Sequence, residues 1–299
     1  MKTPRYFQWI WLSVLLLAVP SAWVQAKEKK HGGAITNSQE SVSALDFTFT
    51  TNNGTITITK YLGNGGGAVT IPGTIHGLLV TGIGNSAFYS CMSLTSIIMP
   101  TSITQIGDMA FRSCTSLSSV AIPTNVVSIG DSAFACCISM TGVTIPDSVT
   151  LIGDSAFAYC SSLTSVAIPP KVTRIECGTF QYCTHLVKVR IPNGITSIED
   201  LAFAYCPRLA SVTIPGSVTR VRDMAFRGCR SLRDVNFKGD APILGSSVFA
   251  SDTNATLYYS PGTTGWSSEF GGRPASGMTH IPSFIDCEID VTFTSRSND

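Results

Sequence analysis

Hydrophobic and polar positions along this chain recur with a period of 23 residues. Phenylalanine occupies Phe88, Phe111, Phe134, Phe157, Phe180, Phe203, Phe226 and Phe249, and cysteine follows three residues later at Cys91, Cys114, Cys137, Cys160, Cys183, Cys206 and Cys229. A fixed period of this length marks stacked supersecondary units, none of which can bury its own apolar face alone. The chain is therefore expected to fold as a repeat solenoid around one continuous core.

One unit, Asp154-Ser-Ala-Phe-Ala-Tyr-Cys-Ser-Ser-Leu-Thr-Ser-Val-Ala-Ile-Pro169, stands for the rest. Val166 and Ile168 alternate into the core as a short strand, which Pro169 ends because proline has no N–H to give a ladder. Val149 and Ile152, ahead of Gly153, supply two more inward residues where the chain turns back. Asp154 is placed as the N-cap of a single helical turn whose Ala156, Phe157 and Cys160 share one face. Asp or Asn holds the same position at Asn85, Asp108, Asp131, Asp200 and Asp223. The expected coil thus carries a parallel β-sheet on the concave side and short helical turns opposite. Equivalent residues then lie roughly 5 Å apart in successive coils, so Phe packs on Phe and Cys on Cys.

The comb covers residues 83–237, and the flanks read differently. Leu45-Asp-Phe-Thr-Phe-Thr-Thr and Thr55-Ile-Thr-Ile-Thr alternate on either side of Asn53-Gly54, a strong hairpin signal. Residues 45–82 are assigned to a β-hairpin cap over the open N-terminal face, and residues 238–275, with Ala255-Thr-Leu-Tyr-Tyr259, to a β-rich C-terminal cap. Lys2 and Arg5 precede an apolar run from Trp9 to Val19, then Pro20 and the small-residue stretch Val24-Gln25-Ala26. That layout is a secretory signal peptide over residues 1–26, too short to span a bilayer. Residues 27–44 are polar and aperiodic, a flexible linker, and 276–299 form a tail without the repeat.

The motif Ala-Phe-x-x-Cys-x-x-Leu-x-x-Val-x-Ile-Pro-x-x-Val-x-x-Ile-Gly, carried through residues 68–250, resembles the BspA-like leucine-rich repeats of bacterial and protist surface proteins. The resemblance implies an exported solenoid engaged in adhesion or in binding host or matrix molecules. It brings no catalytic residues with it.

Composition narrows the function. Charged residues make up 13% and hydrophobic ones 44%, a mix too apolar for disorder and too weakly charged for a generic nucleic-acid binder. The chain has ten cysteines, which in an exported protein would suggest a disulfide framework. A disulfide scaffold has no reason to put its thiols in one periodic column, whereas a solenoid core does, so a mainly reduced, buried ladder is expected. Cys136, Cys177 and Cys287 fall off the column and are the expected reactive thiols. No Cys-x-x-Cys pair occurs and the four histidines are scattered, so neither a metal nor another cofactor is expected. Gly130-Asp-Ser132 and Gly153-Asp-Ser155 imitate an esterase nucleophile block, but the same position reads Gly-Asp-Met109 and Arg-Asp-Met224. A nucleophile also needs a base in reach, and His185 lies on another repeat.

Charge departs from the repeat. Residues 61–170 hold one basic side chain, Arg112, whereas 171–238 hold eleven. Among these, Lys188, Arg190, Arg220, Arg222, Arg227, Arg230 and Arg233 form the candidate binding set for an anionic partner. Lys188 and Arg190 share one strand face whose other outward residues are mostly small and bland. Tyr159, Tyr182 and Tyr205 form a second ladder on the turn side, read as packing. The expected protein is a secreted, monomeric, non-catalytic module that binds or adheres to an extracellular protein or anionic polysaccharide, without nucleic acid and without membrane insertion. A cell-envelope or matrix spacer with no discrete ligand is the alternative.

Overall fold

The computed structural model describes residues 46–63 and 66–278. The expected signal peptide, the linker, Cys287 and the tail from residue 279 lie outside the described residues. Among the described residues no helix is long and apolar enough to cross a membrane.

The 23-residue period is that of a β-solenoid in which each coil contributes two short strands and one turn segment. The first sheet column runs through β3 (Gly67–Thr70), β6 (Leu94–Ile98), β8 (Ser119–Ala121), β10 (Gly142–Thr144), β12 (Ser165–Ala167), β14 (Lys188–Arg190), β16 (Ser211–Ile214), β18 (Asp234–Phe237), β20 (Thr256–Tyr259) and β22 (Arg273–Gly277). Paired strands are parallel and in register, as in Ser165↔Lys188 and Ala167↔Arg190. A second column begins with β2 (Thr55–Tyr61) and β5 (Leu78–Ile83), then passes through β7 (Gln105–Ile106), β9 (Ser128–Ile129), β11 (Leu151–Ile152), β13 (Arg174–Ile175), β15 (Ser197–Ile198), β17 (Arg220–Val221) and β19 (Ile243–Leu244). The stretch around Ile152, expected only to turn the chain back, is thus a strand in a second sheet. At the N-terminal end β1 (Phe47–Asn52) pairs antiparallel with β2 across Asn53-Gly54, both at positive φ.

The turn segment corrects the expected helical turn. In an α-helix each N–H would go to the carbonyl four residues back. Here the N–H groups of Ser132, Phe134 and Cys136 donate instead to the carbonyls of Asp154, Ala156 and Ala158 in the next coil, at 2.7, 2.8 and 2.8 Å. The alternate N–H groups of Ala133, Ala135 and Cys137 close three-residue turns onto Gly130, Ser132 and Phe134, at 3.3, 3.1 and 3.2 Å. Every donor is satisfied, half of them between coils. The geometry demands a left-handed residue two before and two after each Phe. Ser86/Ser90, Met109/Ser113, Ser132/Cys136, Ser155/Tyr159, Gly178/Tyr182, Leu201/Tyr205, Met224/Gly228 and Ser247/Ser251 all have positive φ.

The aspartate column is not a helix cap either. Asp108 Oδ1 accepts the backbone N–H of Asp131, and Asp131 Oδ1 accepts that of Asp154, each at 2.9 Å, so the side chains bracket successive coils. This brings the residue before each Asp very close to the coil beneath. A Cβ added to Gly130 would lie 2.6 Å from Asp108 N, and one added to Gly153 2.7 Å from Asp131 N. The same column then carries Glu176, and pairing in the second sheet lapses between β11 and β13. Ile152, Ile168, Val172, Arg174, Ile175, Thr179 and Phe180 line a narrow cleft at that joint.

The core is a set of axial columns. The eight phenylalanines are fully buried and stack with centroids between 4.9 Å apart, at Phe88–Phe111, and 5.8 Å, at Phe226–Phe249. Tyr61 continues the stack over Phe88 at 5.4 Å. Burying one such ring is worth about 1.5–3 kcal/mol. The column cysteines are free thiols, and from Cys114 to Cys229 each Sγ donates to the Phe carbonyl of the preceding coil, at 3.1–3.3 Å. Burial pushes the Cys114 and Cys206 thiols up to about 12. At the far end Phe237, Tyr259, Trp266 and Phe270 cover the last coil, with Tyr259 and Trp266 stacked at 4.9 Å.

Candidate binding surface

The candidate cations do not form one patch. Lys188 and Arg190 project from β14 on the first sheet, both exposed, with Val189 between them turned into the core. The strands beside it present only small residues: Ser165 and Ala167 on β12, Ser211 and Thr213 on β16. The two cations therefore stand above a flat floor. Arg230 and Arg233 lie where the chain leaves the turn segment for the first sheet, and both are exposed.

Arg220 and Arg222 lie elsewhere, at and just after β17 in the second sheet. There the column that carries glycine in earlier coils carries Glu176, Glu199 and Arg222 instead. Arg222 Nε meets Glu199 Oε2 at 3.3 Å, while Arg174 reaches Glu199 Oε1 at 3.1 Å and Glu176 Oε1 at 3.3 Å. Arg174 was no part of the candidate set. It and the two glutamates form an axial charge row that could have been read from the change of Gly153 to Glu176 one period on. Arg227 faces the turn side, where its Nη1 lies 3.3 Å from Met224 Sδ and its charge opposes the rise of the Tyr182 phenol that burial causes.

Tyr159, Tyr182 and Tyr205 stack at 4.7 and 4.6 Å, with their planes within 14°. Tyr205 lies over Gly228, where an added Cβ would come within 2.9 Å of its ring. The ring faces are thus covered by neighbouring coils, and only edges and hydroxyls point outward. The esterase-like serines Ser132 and Ser155 occupy left-handed positions that hold the turn segment, and His185 places Nδ1 2.7 Å from the Ser161 carbonyl. Cys177, expected to be reactive, is pushed up to about 12 by burial, with Asp154 and Asp200 adding to the effect. Burial also raises the Cys136 thiol.

With this geometry the comparisons with known proteins agree. The model of the BspA type leucine rich repeat region matches residues 81–207 and 150–264 in six copies, the greater part of the chain. The chain belongs to that family. A leucine-rich repeat protein of T. pallidum is similar at 31% identity and a TM-score of 0.55, over 72% of this chain and 91% of that one. A leucine rich cell surface protein of Faecalibacterium prausnitzii is similar at 29% identity and a TM-score of 0.54, over 72% of this chain and 75% of that one. No curated protein matches the sequence. BspA-type membership accounts for the repeat columns.

Proposed function

We propose that this chain is an exported, non-catalytic leucine-rich-repeat module that binds or adheres to an anionic protein or polysaccharide surface through the first sheet. The observation that carries the reading is the pair Lys188 and Arg190, exposed on a floor of small side chains that leaves both cations open to a partner. Exposed charges attract over about 8–10 Å at physiological salt, enough to concentrate an anionic surface against this face. The leader-like residues 1–26 and the resemblance to a cell surface protein favour display outside the cell.

The test is binding of the full chain to immobilised acidic and neutral polysaccharides and matrix-type proteins, at low and high salt. A Lys188→Glu/Arg190→Glu variant is run beside it. Binding that weakens with salt and falls at least about tenfold in the variant supports the reading. Binding indifferent to both overturns it. A chain that binds nothing is better read as a spacer. N-terminal sequencing of the secreted product, expected to begin at Lys27, tests export.

A further inference from the structure

Lys188 and Arg190 are not alone. His185 and Arg208 stand two residues after Cys183 and Cys206, at the corner where the turn segment passes into the first sheet; Arg230 stands one residue after Cys229, beside Ser231 in the equivalent place, and Arg233 at the mouth of β18. All six side chains are exposed. Their coils are consecutive: the Ser231 N–H donates to the Pro207 carbonyl at 3.1 Å, and the Arg233 N–H to the Ala210 carbonyl at 2.9 Å. The corner therefore carries a basic row along the solenoid axis, with steps of about 5 Å between coils. None of the six makes an ion pair among the described residues, whereas Arg174 and Arg222 on the second sheet are both paired. Asp234, half-buried on β18, is the acid that shares this face.

Resting on the binding role proposed above, we propose that this corner holds a linear polysaccharide bearing sulfate or carboxylate groups, laid along the solenoid axis across successive coils. Five exposed lysine and arginine side chains grouped over three consecutive coils suit a partner that carries anions at repeated intervals along its length. Each exposed pair contributes little by itself, so affinity comes from many contacts made at once on one chain and grows with its length. The arginine guanidinium adds a planar fork that meets a sulfate or carboxylate with two hydrogen bonds. A tight protein interface would want a cluster of aromatic or aliphatic anchors; the floor of Ser165, Ala167, Ser211 and Thr213 offers none, and Val187, exposed beside Lys188, stands alone there. A single-stranded nucleic acid would want open ring faces to stack its bases on. The faces of Tyr159, Tyr182 and Tyr205 are covered by neighbouring coils.

The experiment titrates the full chain with heparin fragments of graded length, polygalacturonate, neutral dextran, single-stranded DNA and polyglutamate. It compares Arg208→Ala/Arg230→Ala/Arg233→Ala with a control, Lys60→Ala/Lys171→Ala/Arg174→Ala, that removes the same charge elsewhere. Thermal melts of both variants confirm folding. The expected result is affinity for heparin or polygalacturonate that rises with length and falls with salt. The corner variant should lose at least about tenfold and the control less than about threefold. Whichever polyanion is preferred distinguishes sulfate from carboxylate. Equal losses in the two variants, or DNA or polyglutamate bound as tightly as the polysaccharides, overturn the proposal. Binding of a protein partner but of no polysaccharide overturns it and leaves the broader binding function standing. Binding of nothing overturns both.

Discussion

Asp252 stands where each earlier coil has its cysteine, and it is fully buried. From Cys114 onward the thiols before it each give a hydrogen to a Phe carbonyl, whereas both Asp252 carboxyl oxygens are buried without a side-chain hydrogen-bond partner, an environment that favours the protonated form. Burial raises its pKa from 3.8 to about 7, with Arg273 pulling the other way. A carboxyl with a raised folded-state value adds stability that is complete below its unfolded pKa and is lost as the pH climbs through the folded value. The melting temperature should therefore fall between pH 4 and pH 7. Burial also raises Asp131, Asp200 and Glu176, which contribute with the same sign. Asp252→Asn should flatten the slope, and Asp252→Cys, which extends the thiol column by one coil, should raise the melting temperature at pH 8. An unchanged pH profile in the Asn variant would place the titration elsewhere.

At the scale of one element, the turn segment and its glycine set how tightly coils approach. Gly153 lets the backbone sit against the Asp131 bracket, and an added Cβ would press into Asp131 N at 2.7 Å. Gly142, on β10, has open space where its Cβ would go and needs no left-handed conformation. Two identical substitutions should thus have opposite signs. Gly153→Ala should cost about 1–3 kcal/mol through overpacking, and Gly142→Ala should gain about 0.4–1 kcal/mol by restricting the unfolded chain. Chemical denaturation of the two variants measures both, and a neutral Gly153→Ala would mean the coils can slide apart freely. The turn segment is also where sequence reasoning went astray. Asp154 followed by Ala156, Phe157 and Cys160 has the spacing of a capped helix, and the left-handed positions hide because Leu201, Met224 and Tyr159 fill them. Only Gly178 and Gly228 hint at the backbone they share.

Across the whole molecule, the columns of Phe and Cys were legible because their spacing never varies, and so was the imbalance of charge between the halves. The division of those charges was not. The period sets Glu199 one coil below Arg222, but whether the two side chains turn toward each other is settled by their geometry, with Nε and Oε2 3.3 Å apart. Because coils couple to nearest neighbours, an interior defect separates the array into two parts. Phe157→Ala should cost about 3–5 kcal/mol and split the melt into two transitions, whereas Phe249→Ala, at the end of the stack, should fray one coil and leave a single transition. Calorimetry reads the difference directly, and one sharp transition for Phe157→Ala would show coupling beyond neighbours. The lapse between β11 and β13 has a mechanical side. Across that step β12 still pairs with β14 and the turn segments still bond, Phe157 N–H to the Thr179 carbonyl at 2.9 Å, so only one wall of the solenoid is open there. The step then works as a hinge in one wall, about which the nearly cation-free coils and the basic ones tilt while the opposite wall keeps them joined.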